Sequence, residues 1–168
     1  PHRIGFIKIL KRMGANIKFQ NLKQYYGEPV GDVIAMYSPN LKGVNIKSNE
    51  IASIIDEVPV LLVVSLFCKS KSKFINLSEL RYNESDRLKV MYDNLRLCGA
   101  EIKREKDNLI IYGKTENFYS NNIPIIKNFN KDHRIAMAFY VLASASRKKI
   151  QINDFNCTNI SFPNFLET

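Results

Sequence analysis

The chain has 168 residues, and 25 Lys+Arg against 16 Asp+Glu give it a formal charge of +9. Hydrophobic residues make up 45%, enough for a packed core, so wholesale disorder is excluded, and the length suits one domain or one and a piece of a second. The basic excess points to an anionic partner: nucleic acid, an acidic membrane surface, or phosphorylated and carboxylated small molecules.

The first predicted element is an amphipathic helix, with Phe6, Ile7, Leu10 and Met13 at helical spacing and Gly14 as its stop. A strand over Ala15–Phe19 follows, then a polar stretch with Gly27, Pro29 and Gly31, then a second strand over Asp32–Tyr37. Residues 51–68 read as one helix, whose apolar run Val58–Cys68 is too short for a bilayer and suits a buried core helix. Strand-like Lys73–Leu77 precedes a third helix from about Asp86 to Cys98, with Leu88, Met91 and Leu95 on one face and Gly99 at its end. Asn108–Tyr112 with Gly113 reads as a hairpin return strand, Asp132–Ala145 as a fourth helix and Lys149–Asp154 as a closing strand.

The chain repeats itself. Leu10–Phe19 is LKRMGANIKF and Leu95–Arg104 is LRLCGAEIKR, so Leu, Gly, Ala, Ile and Lys recur at the same offsets after an amphipathic helix. A helix–Gly–Ala–strand unit used twice argues for repeated α/β modules with a mixed sheet. Cys68, Cys98 and Cys157 form no CxxC pair, so neither a disulfide framework nor a zinc site is expected, and a reducing compartment fits. The N-terminal stretch PHRIGFIKILKRMGANIKF lacks the long apolar run of a secretory signal, so the expectation is a soluble protein.

Ionisable residues gather at three helix starts: Asp56-Glu57 before Val58-Pro59, Glu84-Ser85-Asp86-Arg87, and Asp132-His133-Arg134. Taken singly, Asp56, Asp86 and Asp132 read as N-caps. Arg87 and Arg134 do not fit that explanation, because a cation in the first turn meets the positive end of the helix dipole. Exposed N–H groups beside a guanidinium suit phosphate or carboxylate, and two such starts can converge on one multiply charged ligand. Glu84 is then a candidate proton-transfer group, and the imidazole of His133 can serve acid–base chemistry or donate to an anion. Nucleic-acid binding is the weaker expectation: lysines are scattered apart from Lys69–Lys73, and Tyr25, Tyr26, Tyr92 and Tyr119 show no RNP-like spacing. No zinc-finger, P-loop or dinucleotide fingerprint is present.

The run ELRYNESDRL (Glu79–Leu88) resembles the ELRvKESDR signature of the 5-enolpyruvylshikimate-3-phosphate synthase family. KDHRIAMAF (Lys131–Phe139) resembles its second signature and SFPNF (Ser161–Phe165) its closing motif. GEPVGD (Gly27–Asp32), LKG (Leu41–Gly43) and IDEVP (Ile55–Pro59) fall in the family order, and PHRIGFIKILKRMGA resembles the segment with a Pro-x-Arg-x-Gly start. Asn83 stands where the family signature has lysine, Ile160 where some members have lysine, and Lys131 where a small or amide residue is usual.

The resemblance implies an α/β fold of repeated βαβαββ-type modules with mixed sheets, of the enolpyruvyl transferase type. Residues 1–168 would be most of the C-terminal domain of a two-domain protein, with a partial repeat over about 1–48, a second over about 49–114 and a third over about 115–168. The implied reaction moves the enolpyruvyl group of phosphoenolpyruvate to the 5-hydroxyl of shikimate 3-phosphate by addition and elimination, in the cytoplasm, with no metal or organic cofactor. The implied partners are those two substrates and the N-terminal domain, with neither nucleic acid nor membrane, and this chain by itself is expected to be inactive. The implied catalytic residues are Asp56, Glu84 and His133, and the implied substrate-binding residues are Asp56, Glu79, Asn83, Arg87, His133 and Arg134. Two alternatives stand beside it: a non-catalytic remnant that at most binds phosphate, and the related UDP-N-acetylglucosamine enolpyruvyl transferase.

Overall fold

The structure, a computed structural model, describes residues 4–113 and 123–167. Pro1 and Arg3 of the opening motif, Tyr119, and the expected boundary at residues 114 and 115 lie outside the described residues. Helix α1 (Gly5–Arg12) leads into β1 (Asn16–Tyr25) and β2 (Glu28–Met36). A short strand β3 (Asn45–Ile46), helices α2 (Ser48–Ile51) and α3 (Val58–Leu66), and strand β4 (Ser72–Phe74) follow. Then come α4 (Arg87–Leu97), β5 (Ile102–Glu105), β6 (Asn108–Ile111), β7 (Ile125–Ile126), α5 (His133–Ser146) and β8 (Gln151–Ile152).

The repeat is a repeat of structure. Both α1 and α4 end in a glycine with left-handed backbone, Gly14 at φ 89° and Gly99 at φ 85°, a conformation that costs a Cβ-bearing residue about 1 kcal/mol or more. The following alanine closes the cap in each copy: Ala15 N–H donates to the Leu10 carbonyl at 2.9 Å and Ala100 N–H to the Leu95 carbonyl at 3.0 Å. An antiparallel hairpin then leaves each cap, β1–β2 in the first copy and β5–β6 in the second.

The second hairpin is completed into a four-stranded mixed sheet of order β3-β4-β6-β5, with β3 and β4 parallel and β4 and β6 antiparallel. Strands β7 and β8 form a parallel pair across α5, as β3 and β4 do across α2 and α3. The expected repeated α/β modules with mixed sheets are therefore present. Helix α3 is apolar on every side, with Val58, Leu61, Leu62, Val63 and Leu66 buried, and packs against α5 and β6 as the expected core helix.

The strands expected at Lys73–Leu77 and Lys149–Asp154 are shorter, Ser72–Phe74 and Gln151–Ile152, and three further expectations need correcting. The polar stretch after residue 19 is strand rather than loop: β1 runs on to Tyr25, turns through Tyr26 (φ 48°) and Gly27 (φ 80°), and returns as β2 with Pro29 opposite Gln24. Two consecutive positive φ values give the tight turn whose twist matches paired strands, and a proline is tolerated at the unpaired edge of a two-stranded ribbon. Secondly, residues 51–68 are not one helix. Pro59 has no N–H to continue the ladder, and its ring crowds the carbonyl four residues back, so α2 passes through a 3₁₀ turn at Ala52–Ile54 and α3 starts afresh at Val58. Thirdly, Asp56 is not an N-cap: it sits in the interruption before α3, and its side chain pairs with arginines. The caps expected of Asp86 and Asp132 are present, the first accepting from Lys89 N–H and the second from Arg134 and Ile135 N–H.

Candidate active site

The interrupted α2–α3 connection, the start of α4 and the start of α5 meet around one guanidinium. Arg87, in the first turn of α4, has a side chain only 1% exposed. Its Nε donates to Asp132 Oδ2 at 2.7 Å, its Nη1 to Asp56 Oδ1 at 3.3 Å, and its Nη2 to Glu84. Asp56 also forms an ion pair through its other oxygen, with Arg134 Nη2 at 2.9 Å. The result is a continuous chain, Arg134–Asp56–Arg87–Asp132, with Glu84 as a branch and Ser85 Oγ donating to Asp132 Oδ2 at 3.1 Å.

Burial grades this cluster from inside to out. Asp132 is fully buried, Asp56 and Arg134 are 29% and 26% exposed, and Glu84 is 52% exposed. Burial disfavours a charged guanidinium, but the hydrogen bond and charge of Asp132, with the charges of Glu84 and the contact to Asp56, outweigh it and raise the Arg87 pKa. Arg87 is therefore a permanent cation that organises three carboxylates. Removing one partner of so deeply buried a pair as Arg87–Asp132 costs about 3–5 kcal/mol, whereas Glu84, with half its side chain in water, is the partner most readily replaced. Glu84 is thus held but free to exchange partners.

Most of the residues singled out in the sequence come together here: Asp56, Glu84, Arg87 and Arg134. His133 opens α5, half-buried, and Glu79 and Asn83 lie exposed on the 3₁₀ turn before α4 and just after it. Asn83 Nδ2 donates to the Glu79 carbonyl at 3.3 Å. Among the described residues none of these three joins the ion-pair chain. Asp132, which the sequence marks only as a cap, and Ser85, for which it carries no signal, also join the cluster. A capping aspartate looks the same in sequence whether or not its second oxygen holds an arginine 45 residues away.

Beside Asp56 and Arg134 lies an apolar recess of about 200 Å³ bounded by Val60, Met137, Val141 and Phe165. Phe165 of the closing motif stacks edge-on against Tyr140 and Phe162, so that motif folds back onto α5. A larger groove of about 600 Å³ between β2, α3 and α5 is lined by residues such as Met36, Tyr37, Val63 and Phe67, with no charged side chain, and offers nothing to a phosphate. Among the described residues no group of three or more His, Cys, Asp and Glu side chains is arranged to hold a metal ion. Nor is any described helix long and apolar enough to cross a membrane.

A chain of modules that pair helix–Gly–Ala–hairpin units with parallel βαβ units, carrying carboxylates and arginines at converging helix starts, defines an enolpyruvyl transferase type of domain. The comparisons agree. The solved enolpyruvyl transferase NikO of Streptomyces tendae superimposes with a TM-score of 0.62 at 13% identity, covering 98% of this chain and 34% of that one, which speaks for the fold alone. The EPSP synthase of Acinetobacter baumannii superimposes with a TM-score of 0.85 at 34% identity, over 99% of this chain and 38% of that one. The 3-phosphoshikimate 1-carboxyvinyltransferase of Caldicellulosiruptor bescii is 42% identical over 167 residues, which are 99% of this chain and 37% of that protein. The family model for EPSP synthase (3-phosphoshikimate 1-carboxyvinyltransferase) matches residues 1–168, and the chain belongs to that family. The chain spans well under half the length of the relatives it matches.

Proposed function

We propose that this chain supplies one wall of a cleft in which the enolpyruvyl group of phosphoenolpyruvate passes to the 5-hydroxyl of shikimate 3-phosphate. The observation that carries the proposal is the Arg134–Asp56–Arg87 chain with Glu84 attached, joining three helix starts in a member of this family. The N-terminal domain of the same enzyme supplies the opposite wall. On this basis the chain is most of the C-terminal domain, divided near residues 48 and 114, and works in the cytoplasm in aromatic biosynthesis.

Asp56 accepts from the shikimate hydroxyls and takes the 5-OH proton, a role suited to a carboxylate held in place by two guanidiniums yet 29% exposed. Glu84 delivers a proton to the methylene carbon of phosphoenolpyruvate on addition and takes one back on elimination, when phosphate leaves. Its exposure and single tether support both steps. Arg134 faces the phosphate and carboxylate directly, while Arg87 reaches them by relinquishing its longer contact to Asp56. His133 flanks the anion, and Glu79 and Asn83 line the substrate side of the turn before α4. Fixed guanidiniums next to developing charge, together with a positioned acid and base, are the sources of rate enhancement.

The test combines this chain with the remaining part of the Caldicellulosiruptor bescii relative and measures phosphate release from phosphoenolpyruvate plus shikimate 3-phosphate. The expected result is release that falls about a hundredfold or more in Glu84→Ala and in Arg134→Ala. A folded complex that releases no phosphate, and is not restored by Asn83→Lys, overturns the proposal in favour of a non-catalytic domain.

A further inference from the structure

Asp132 is the most deeply buried carboxylate of the cluster, and its two oxygens do different things. Oδ1 caps α5, accepting Arg134 N–H at 3.1 Å and Ile135 N–H at 3.4 Å. Oδ2 accepts Arg87 Nε at 2.7 Å and Ser85 Oγ at 3.1 Å. Capping alone requires neither the second oxygen nor a buried negative charge. Asp86 caps α4 by one bond, from Lys89 N–H at 2.9 Å, in a half-buried position.

We propose that Asp132 is a positioning residue that sets both arginines at once. Gripping Nε fixes the plane of the Arg87 guanidinium, so its two terminal nitrogens face Asp56 and Glu84 rather than each other's partners. The same side chain pins the first turn of α5, which fixes where Arg134 leaves the backbone. Ser85 Oγ donates a second hydrogen bond to Oδ2, which restrains the carboxylate from swinging to follow a moving arginine. A rotation of Arg87 would carry Asp56 with it, and Asp56 carries Arg134, so one buried carboxylate governs the geometry of the whole chain of charges.

The inference rests on the transferase proposal only for its activity measurement. Its structural measurement is the solvent exchange of the Arg87 Nε–H in the ¹⁵N-labelled full chain. Asp132→Asn and Asp132→Ser both keep a good capping acceptor and remove the charge that holds Arg87. Exchange is expected to speed up at least tenfold in both, and to stay unchanged in Asp86→Ser, which alters a cap of the same kind on α4. In the combined enzyme, kcat/KM for phosphoenolpyruvate is expected to fall at least tenfold in the Asp132 variants and to stay within twofold in Asp86→Ser. Should both Asp132 variants fail to fold, Ser85→Ala removes only the hydroxyl on Oδ2 and is expected to give the same changes at about threefold. Arg87 exchange unaltered in a folded Asp132 variant overturns the inference, as does an equal loss of activity in Asp86→Ser. If the wild-type combination releases no phosphate, the transferase proposal falls and Arg87 exchange still decides the role of Asp132.

Discussion

Arg87 turns each of its guanidinium nitrogens to a different carboxylate, and that division explains why lysine cannot replace it. A single ammonium has the charge but not the planar fork, so at least one of Asp132, Asp56 and Glu84 must lose its partner. Arg87→Lys is expected to lower the unfolding free energy of the chain by about 3–5 kcal/mol, read from urea denaturation with an unchanged slope. The cysteines give a prediction with a defined pH window. All three are free and buried, and burial pushes the Cys68 thiol up to about 11 and the Cys98 thiol up to about 12 from an ordinary 9.0. A raised pKa means that the native state favours the protonated thiol. The stability this contributes is complete below about pH 9 and is lost as pH rises toward 11 for Cys68 and 12 for Cys98. Unfolding midpoints measured between pH 8 and pH 11 are expected to fall less steeply in Cys98→Ala than in the parent chain. A thiol reagent at pH 8 is expected to label Cys68 and Cys98 only at the rate of unfolding.

At the scale of the element, the two copies of the helix–Gly–Ala unit share a cap but not an environment. In β5–β6 the inward positions Leu109 and Ile111 are fully buried on a strand that packs against α3, whereas along β1 and β2 only Ile17 is buried. Backbone pairing and a few exposed side-chain contacts, with Ile17 its one buried residue, hold the first ribbon, so its amides open locally at far lower cost than those of β6. Hydrogen exchange is expected to run at least a hundredfold faster at Lys18 and Gln20 than at Leu109 and Ile111; equal protection would contradict this account. The contrast also shows what sequence could reveal. Leu10, Gly14, Ala15 and their partners at 95, 99 and 100 carry the cap, because a Schellman turn is local and its residues are contiguous. The run of the ribbon through Gly27 and Pro29 was hidden, since those residues mark loops as readily as an edge hairpin. The break at Asp56 was hidden for a related reason: the apolar pattern continues across Pro59, and only the lost N–H interrupts the helix. Arg87, Arg134, Asp56 and Glu84 were legible as a group because their charge conflicts with helix dipoles or stands at helix starts. The buried link through Asp132 was not legible, being a contact across 45 residues.

For the molecule as a whole, the apolar groove between β2, α3 and α5 and the exposed Leu22, Val30 and Val33 of the ribbon are surfaces that packing would ordinarily cover. The first unit shows one hairpin where the second shows a hairpin plus a parallel pair, and the chain matches well under half of its relatives. Adding the remaining part of the Caldicellulosiruptor bescii relative is expected to raise the melting temperature of this chain by several degrees; an unchanged melting temperature would show that the two do not dock. The charge of the molecule carries a further consequence. The chain is strongly basic, yet the five linked groups at its site are three carboxylates and two guanidiniums, so the surplus there is negative. A doubly charged phosphate approaching this wall alone is drawn by the long-range field toward guanidiniums that the carboxylates already outnumber. Proton uptake by Glu84 brings these five groups to neutrality, and only cations from a facing surface make the local sum positive.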